Sequence, residues 1–365
     1  MKKSSTIIYK ILIIVLIAEL FLGYYAFQQN NKKYGFYVPA VYKGFLVVLR
    51  NVKKFSLDNK DLTKIKTSKN QVNEKNYFVK TFDKEVIKYH PFIDVSGGPK
   101  TYETSSGKFS VDRDYFGFRN SLPLNYNEDN KKFAIVLSGG SECLGEFHKI
   151  PISQILTNQL NEHFNTDKII VFNLCMNSHT ISNEIQNLVH IGYHYNPSLI
   201  ISHTGWNDSK YFKYIPENFK KTALIYYPSQ INWYDKLYDI KTSDGHRKVS
   251  FKESDKKIFK ESLKKNVIKY RKIAKSFNSD LIIGIQPYDK NKNINKIDLE
   301  FLSAFENQIE EMKIEKINFT KFSESFHFVD SSHTSQSAAY KISDIYFNYI
   351  KENHGEKILK KISKI

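Results

Sequence analysis

Three short polar segments of the chain contain the residue types that nucleophilic acyl chemistry needs. The first, 139–142 (GGSE), follows an apolar run, so its serine hydroxyl could be exposed at the edge of a sheet. The second, 205–208 (GWND), carries an asparagine amide that could donate a hydrogen bond to a developing oxyanion. The third, 330–333 (DSSH), places a carboxylate where it can hold the Nδ1–H of a histidine and leave Nε2 facing the serine.

A triad of Ser141, Asp330 and His333 is predicted from these segments taken together. Each segment alone is weak evidence, because Gly-Gly-Ser is also an ordinary turn and Asp-x-x-His is more often structural than catalytic. Their order along the chain favours the triad, since each follows a predicted strand or precedes a predicted helix. A Gly-x-Ser-x-Gly elbow is excluded, because Cys143 occupies the position of its last glycine.

The elements that must position these segments begin at Phe133, where short apolar runs start to alternate with segments of helix length. Strands are predicted at 133–138, 168–174, 198–203 and 280–286. Helices are predicted near 150–164, 182–195, 254–277, 297–312 and 336–350. Strands separated by helices indicate right-handed crossovers and a parallel sheet covered on both faces. The expected fold is therefore a doubly wound α/β sandwich of three layers.

The N-terminus is predicted to be a membrane anchor covering residues 1–29. Lys2 and Lys3 precede residues 7–27, which are mostly apolar and, at about 1.5 Å per residue, match a hydrocarbon core of roughly 30 Å. A cleaved signal peptide is the alternative, but no Ala-x-Ala site follows Leu22. Lysines flank the segment on both sides and do not orient it. A long domain after a single anchor is expected to lie outside the cytoplasm.

The rest of the chain is predicted to divide into three parts. Residues 30–130 have irregular patterning and are expected to form a stalk or cap with some strands. Residues 131–352 form the α/β domain, with an aromatic-rich insertion at 209–251 that is expected at the ligand-binding edge of the sheet. Residues 353–365 form a basic amphipathic tail, which is either a solvated helix or a membrane-surface contact.

Composition limits the classes of partner and cofactor. Of the 55 Lys and Arg residues only five are arginine, so the net charge of +17 indicates solvated lysine faces more than nucleic-acid recognition. Attraction to anionic lipid or an acidic polysaccharide is the alternative. Cys143 and Cys175 are expected to be free buried thiols rather than a disulfide. No metal site is predicted, because His190 and His194 lack a third ligand.

The three segments resemble the SGNH hydrolase family, also called GDSL esterases, over roughly 133–350. The first family block matches Gly139 to Ser141, the third matches 205–208, and the last matches 330–333. The resemblance implies an SGNH/flavodoxin-like sandwich and ester chemistry without a metal or organic cofactor. Ser141 would be the nucleophile, His333 the general base and Asp330 the residue that orients it.

The resemblance also implies an oxyanion hole built by three groups. They are the N–H of Ser141, the side-chain amide of Asn207 and an N–H from the second family block. That block falls in 173–180 (NLCMNSHT), where Ser178 takes the place of the family's glycine. A backbone N–H can donate from serine as it does from glycine, although glycine adopts unusual backbone conformations more readily.

The expected function is that of a serine esterase or acyl-transfer enzyme acting on O-acetyl groups of a cell-envelope carbohydrate. Gly205, Trp206 and Gln286 are predicted to contact the substrate. One alternative is a non-catalytic binding or assembly protein, which a missing hydrogen bond between Ser141 and His333 would favour. The other is a membrane-surface lipid esterase: a deep apolar pocket would favour lipids, and an open aromatic groove would favour sugars.

Overall fold

The computed structural model describes residues 79–81, 88–90, 94–96, 100–104, 107–114, 117–119, 131–212 and 253–365. All of these residues belong to one unit, Ile65–Ile365. The predicted membrane anchor at 1–29 and most of the predicted insertion at 209–251 lie outside the described residues. None of the helices in the described ranges is both long enough and apolar enough to cross a membrane.

Short antiparallel strands precede the α/β part of the chain. They are β1 (Val79–Thr81), β2 (Lys88–His90), β3 (Asp94–Ser96), β4 (Lys100–Thr104) and β5 (Gly107–Val111). Strands β1, β4 and β5 form one sheet with β4 in the centre, and β2 pairs with β3. Val111, at the end of β5, is buried in a small apolar cluster with Val329. This cluster fixes the end of β5 against the loop that contains Asp330.

Five parallel strands form the central sheet. They are β6 (Phe133–Gly139), β7 (Ile169–Cys175), β8 (Leu199–Thr204), β9 (Asp280–Ile285) and β10 (Glu315–Asn318). Their order across the sheet is β10-β9-β8-β6-β7, so the first strand of the sheet lies between the second and the third. This is the flavodoxin-like order of doubly wound sheets. The predicted parallel α/β sandwich is confirmed.

Helices cover both faces of this sheet. They are α1 (Ser141–Leu144), α2 (Ile152–His163), α3 (Ile181–His190), α4 (Trp206–Phe212), α5 (Glu253–Ser276), α6 (Lys296–Glu311) and α7 (Gln336–Ile362). Short 3-10 helices occur at Gly192–Tyr195 and Phe319–Ser325. The helices predicted from spacing start within a few residues of the observed ones. The short helices α1 and α4 and strand β10 were not predicted.

The central strands read as unbroken apolar runs because both of their faces are buried. In β6, Phe133, Ile135 and Leu137 belong to the core under α2 and α7, whereas Ala134 and Val136 belong to the core under α3, α5 and α6. All seven residues of β6 are buried. Each large apolar side chain buried in this way contributes about 1.5–3 kcal/mol, which makes β6 a rigid base for the turn that follows it.

The final helix differs from the prediction. The sequence predicts a helix ending near Ile350 and a separate basic tail at 353–365, but α7 continues to Ile362. Its last turns bury His354, Ile358 and Ile362. The exposed lysines between these positions make the segment look like a solvated tail in sequence, whereas its apolar residues continue the contact with the sheet.

The prediction of free thiols is wrong, because Cys143 and Cys175 form a disulfide with Cα atoms 5.7 Å apart. Gly139 lies opposite Cys175 in the β6–β7 pairing, and the chain then turns into α1 and brings Cys143 back over the end of β7. The turn requires glycine: Gly139 has φ +154°, and a Cβ there would lie 2.2 Å from the carbonyl oxygen of His203.

Removing the disulfide is expected to lower the free energy of unfolding by roughly 3–4 kcal/mol, because it closes a loop with a sequence separation of 32 residues. Urea unfolding of the Cys143→Ala/Cys175→Ala double variant, compared with the oxidised wild type, measures this as a lower midpoint and a lower extrapolated free energy of unfolding, with the slope fitted separately for each protein because the denatured chain without the disulfide is more expanded. Equal midpoints for the two proteins would contradict the expectation. The control is wild type whose disulfide has been reduced under denaturing conditions: its urea midpoint should fall as that of the double variant does, although both cysteine side chains are present.

Candidate active site

The three polar segments predicted from sequence meet at the carboxyl edge of the central sheet. The strand order reverses beside β6, which has β7 on one side and β8 on the other. In open α/β sheets, ligands bind in the crevice at this reversal. The turn containing Ser141 follows β6, the loop containing Ser178 follows β7, and helix α4 with Asn207 follows β8.

Ser141, His333 and Asp330 form a continuous hydrogen-bonded chain. The Oγ atom of Ser141 lies 2.6 Å from Nε2 of His333, although the two residues are 192 positions apart. On the other side of the ring, Nδ1 lies 2.7 Å from Oδ2 of Asp330. A carboxylate can only accept, so Nδ1 carries a proton, and in the neutral ring Nε2 then accepts from the serine hydroxyl.

The loop around Asp330 and His333 is fixed by its own backbone and by the end of β9. Oδ1 of Asp330 accepts hydrogen bonds from the backbone N–H groups of Ser332 and His333, each at 2.8 Å. The side chain of Gln286 donates to the carbonyl of Ser332 at 2.9 Å. The amide nitrogen of Gln286 thus supports the loop, and its predicted contact with substrate stays a prediction. Phe147 packs edge-on against the ring of His333, with centroids 5.0 Å apart.

Ser178 adopts the backbone conformation that a glycine favours. Its φ is +65°, in the left-handed region, although its neighbours follow ordinary geometry. Ser178 therefore has the left-handed backbone conformation that glycine favours, and it also carries a side chain. Its Oγ accepts a hydrogen bond from the hydroxyl of the buried Tyr211 at 3.3 Å, so the side chain has a partner.

The amide of Asn207 lies beside the serine turn. Its Nδ2 donates to the carbonyl of His179 at 2.9 Å, which leaves the second N–H of the amide for another acceptor. A Cβ on Gly140 would lie 2.6 Å from this nitrogen, so only glycine allows the close approach. The N–H of Ser141, at the start of α1, has no acceptor within its own helix. The serine turn therefore has one backbone N–H donor in Ser141 and one side-chain amide donor, Asn207, packed against Gly140.

The other residues of the GWND segment are buried. Asp208 is fully buried and accepts from the N–H of Ile181 at 3.1 Å and from the Thr204 hydroxyl at 2.9 Å, which ties α4 to the start of α3. Gly205 has φ +126° and packs against the ring of Phe305. The ring of Trp206, predicted to contact substrate, is mostly buried, and its centroid lies 6.2 Å from that of the partly exposed Tyr288.

The electrostatics of the His333–Asp330 pair favour an ionised acid beside a basic imidazole. Burial opposes the charge on His333, but the attraction and hydrogen bond of Asp330 outweigh it and raise the pKa of the imidazole above its usual 6.5. Burial would likewise raise the pKa of Asp330, yet His333 and the two backbone N–H groups hold it well below its usual range. The aspartate therefore remains ionised across the neutral range.

Glu142, Asp208 and His148 are three buried polar residues near the site for which no role was predicted from sequence. Glu142 follows Ser141 and is almost completely buried, with both carboxylate oxygens directed at Thr334. A carboxylate inside an otherwise small and apolar turn is a signal that could have identified it. His148 and Asp208 stand in loops or at helix starts, where polar residues are ordinary, and their burial could not be predicted from spacing.

Across the described ranges, no group of three or more His, Cys, Asp and Glu residues could hold a metal ion.

No protein-family model matches the chain, and no curated protein matches it by sequence. Solved structures similar to it include a lipase/acylhydrolase from Enterococcus faecalis, 14% identical over 60% of this chain and 95% of that chain, with a TM-score of 0.38. A catalytic mutant of an acetylxylan esterase from Geobacillus stearothermophilus is 11% identical over 60% and 93%, with a TM-score of 0.39. A GDSL-like lipase from Bacteroides thetaiotaomicron is 11% identical over 64% and 93%, with a TM-score of 0.36. At TM-scores this low the likenesses do not decide the activity.

The pKa of His333 is expected to lie above 6.5 in the wild type and to fall in Asp330→Asn. The negative charge of Asp330 stabilises the imidazolium, so a higher pH is needed to remove its proton; without that charge, burial dominates and favours the neutral ring. Histidine-ring NMR titration measures both values, and the resonance is assigned by its loss in His333→Ala. Identical titration midpoints in the two proteins would refute this account of the pair.

Proposed function

We propose that this chain is a serine esterase of the SGNH type, with Ser141 as nucleophile, His333 as general base and Asp330 as the residue that orients the base. The observation that carries the proposal is the pair of short contacts on the two ring nitrogens of His333, 2.6 Å to Ser141 and 2.7 Å to Asp330. A serine becomes an effective nucleophile when an adjacent base can take its proton and a third group holds that base in place.

The acylation step follows from this geometry. Ser141 Oγ attacks the carbonyl carbon of an ester while its proton passes to Nε2 of His333, and a tetrahedral intermediate with one negative oxygen forms. The imidazolium is stabilised by ionised Asp330. Collapse of the intermediate breaks the bond to the alcohol, which leaves with the proton from Nε2, and the acyl group remains on Ser141.

Deacylation repeats the same steps with water. His333 takes a proton from water as the oxygen attacks the acyl-serine, and collapse releases the carboxylic acid and restores the Ser141 hydroxyl. If a sugar hydroxyl replaces water as the attacking group, the same sequence transfers the acyl group to the sugar. Both steps need neutral His333, so kcat/KM should rise with pH through the pKa of this residue.

The negative oxygen of the intermediate would be held by three donors. They are the N–H of Ser141, the free amide hydrogen of Asn207 and the N–H of Ser178. Support for the third donor comes from the left-handed backbone of Ser178, which takes the conformation that a glycine would adopt there. The side chain that replaces the glycine hydrogen is directed to Tyr211 by their hydrogen bond. Donors of this kind typically contribute about 3–4 kcal/mol each to catalysis.

A carbohydrate ester with a small acyl group, such as O-acetyl, is the substrate class we favour. Trp206 and Tyr288 form a pair of rings next to Asn207, and Tyr211 lies at the Ser178 loop. Aromatic rings with polar edges suit a substrate that has both apolar and hydroxylated faces. Attachment through residues 1–29, with the site outside the cytoplasm, would place the enzyme next to cell-envelope polysaccharide.

Serine-dependent hydrolysis of p-nitrophenyl acetate tests the reaction. The full chain in mild detergent should turn over this ester, and Ser141→Ala should reduce kcat/KM by at least about 10³-fold, because the nucleophile is lost. Ser276→Ala, which removes an exposed hydroxyl far along the chain, is the matched control and should match the wild type. Equal background rates in wild type and Ser141→Ala would instead favour a binding protein with this fold.

Acyl-chain preference tests the substrate class. The wild type should hydrolyse p-nitrophenyl acetate at least about tenfold faster than the palmitate ester, since each CH₂ group adds binding only where an apolar surface receives it. It should also release acetate from an O-acetylated polysaccharide, measured by enzymatic acetate assay with Ser141→Ala as blank. A preference for palmitate would contradict the carbohydrate assignment and support a lipid esterase.

A further inference from the structure

Glu142 is a buried acid placed between the serine turn and the histidine loop. Only 1% of its surface is exposed, and both carboxylate oxygens face Thr334. Oε2 accepts the backbone N–H of Thr334 at 2.8 Å, and Oε1 accepts its hydroxyl. Thr334 is itself completely buried.

These contacts lie directly beside the Ser141–His333 hydrogen bond. Ser141 and Glu142 are consecutive in α1, and His333 and Thr334 are consecutive in the facing loop. Each residue of one pair bonds one residue of the other, with 192 positions between partners in both cases. The Glu142–Thr334 contact thus fixes the backbone one residue beyond His333, and the position of the imidazole follows from it.

The carbonyl of Thr334, its remaining polar group, contacts His148. Nε2 of His148 lies 3.0 Å from the carbonyl oxygen of Thr334. Burial, together with the nearby charge of Arg119, lowers the pKa of His148 to about 3, so the ring is neutral and must donate from Nε2. Arg119 in turn donates to the carbonyls of Gly145 at 2.6 Å and His148 at 2.9 Å. Thr334 is therefore bonded through its N–H, its hydroxyl and its carbonyl.

We infer that Glu142 is a positioning residue, which sets the distance between Ser141 and His333 by holding Thr334; this role rests on the proposed function. Burying a carboxyl group that makes no hydrogen bonds would cost free energy. Burial also raises the pKa of Glu142 to about 7. An apolar side chain would fill the same space more cheaply. A carboxylate can hold Thr334 in place because its two oxygens accept hydrogen bonds from both the N–H and the hydroxyl of that residue.

Three variants distinguish a Glu142 side chain that positions His333 through hydrogen bonds from one that only fills space. Glu142→Ala removes both acceptors, and a shift of the imidazole by about 1 Å would lower kcat on the order of 10²-fold with little change in KM. Glu142→Gln keeps one acceptor oxygen and nearly the same volume, so it should recover kcat to within about fivefold of the wild type. Thr334→Val keeps the N–H but loses the hydroxyl and should fall between the two. Glu162→Ala, an exposed glutamate of α2, is the matched control.

Hydrogen exchange gives a readout that does not depend on activity. Backbone amides of 330–335 should exchange faster in Glu142→Ala than in the wild type and remain close to the wild type in Glu142→Gln. Wild-type kcat together with wild-type exchange in Glu142→Ala would overturn the inference. If the wild type and Ser141→Ala prove equally inactive, the proposed function fails, and exchange at 330–335 still decides whether Glu142 holds the loop.

Discussion

A single hydrogen bond, from Ser141 to Nε2 of His333, joins the turn after the first strand of the sheet to the loop before the last helix. It closes a chain separation of 192 residues over 2.6 Å. Such a contact exists only if everything between the two segments folds back to the same edge. The distance between Ser141 Oγ and His333 Nε2 therefore depends on every crossover in the parallel sheet, from β6 to β10.

The structure meets that requirement with rigid supports on each side of the bond. On the serine side, β6 is buried on both faces and the Cys143–Cys175 disulfide ties α1 to the end of β7. On the histidine side, Glu142 and His148 hold Thr334, and Gln286 holds Ser332. The bonds that Glu142, His148 and Thr334 make with one another offset part of the cost of burying them, although Nδ1 of His148 has no hydrogen-bond partner among the described residues.

Much of the fold was predictable because the strands carry a strong local signal. Strand β6 is buried on both faces and reads as a continuous apolar run, so its position could be found within a residue. Strand β10 (EKIN) has one buried side chain among four residues and gave no such pattern. The disulfide depends on how tightly the chain turns at Gly139, and the length of α7 depends on contacts with the sheet. Neither property is expressed in local spacing.

The candidate site divides in the same way. Ser141, Asn207, Asp330 and His333 were predicted because each stands in a short motif next to a predicted element, and the structure brings all four together. Gln286 lies at the predicted strand end, and its bond to Ser332 was not predicted, because that contact depends on a loop remote in sequence. Glu142 was overlooked, although it is adjacent to Ser141, since its partner Thr334 is remote in sequence.

The central claim is that Ser141 is a nucleophile activated by His333, and covalent labelling tests it most directly. The full chain is incubated with a fluorophosphonate probe, digested and mapped by mass spectrometry, beside His333→Ala. The account predicts one modified residue, Ser141, and a labelling rate that falls by at least about 10²-fold in His333→Ala, because the serine then has no base. Absence of label on Ser141, or an equal rate without the imidazole, would contradict it.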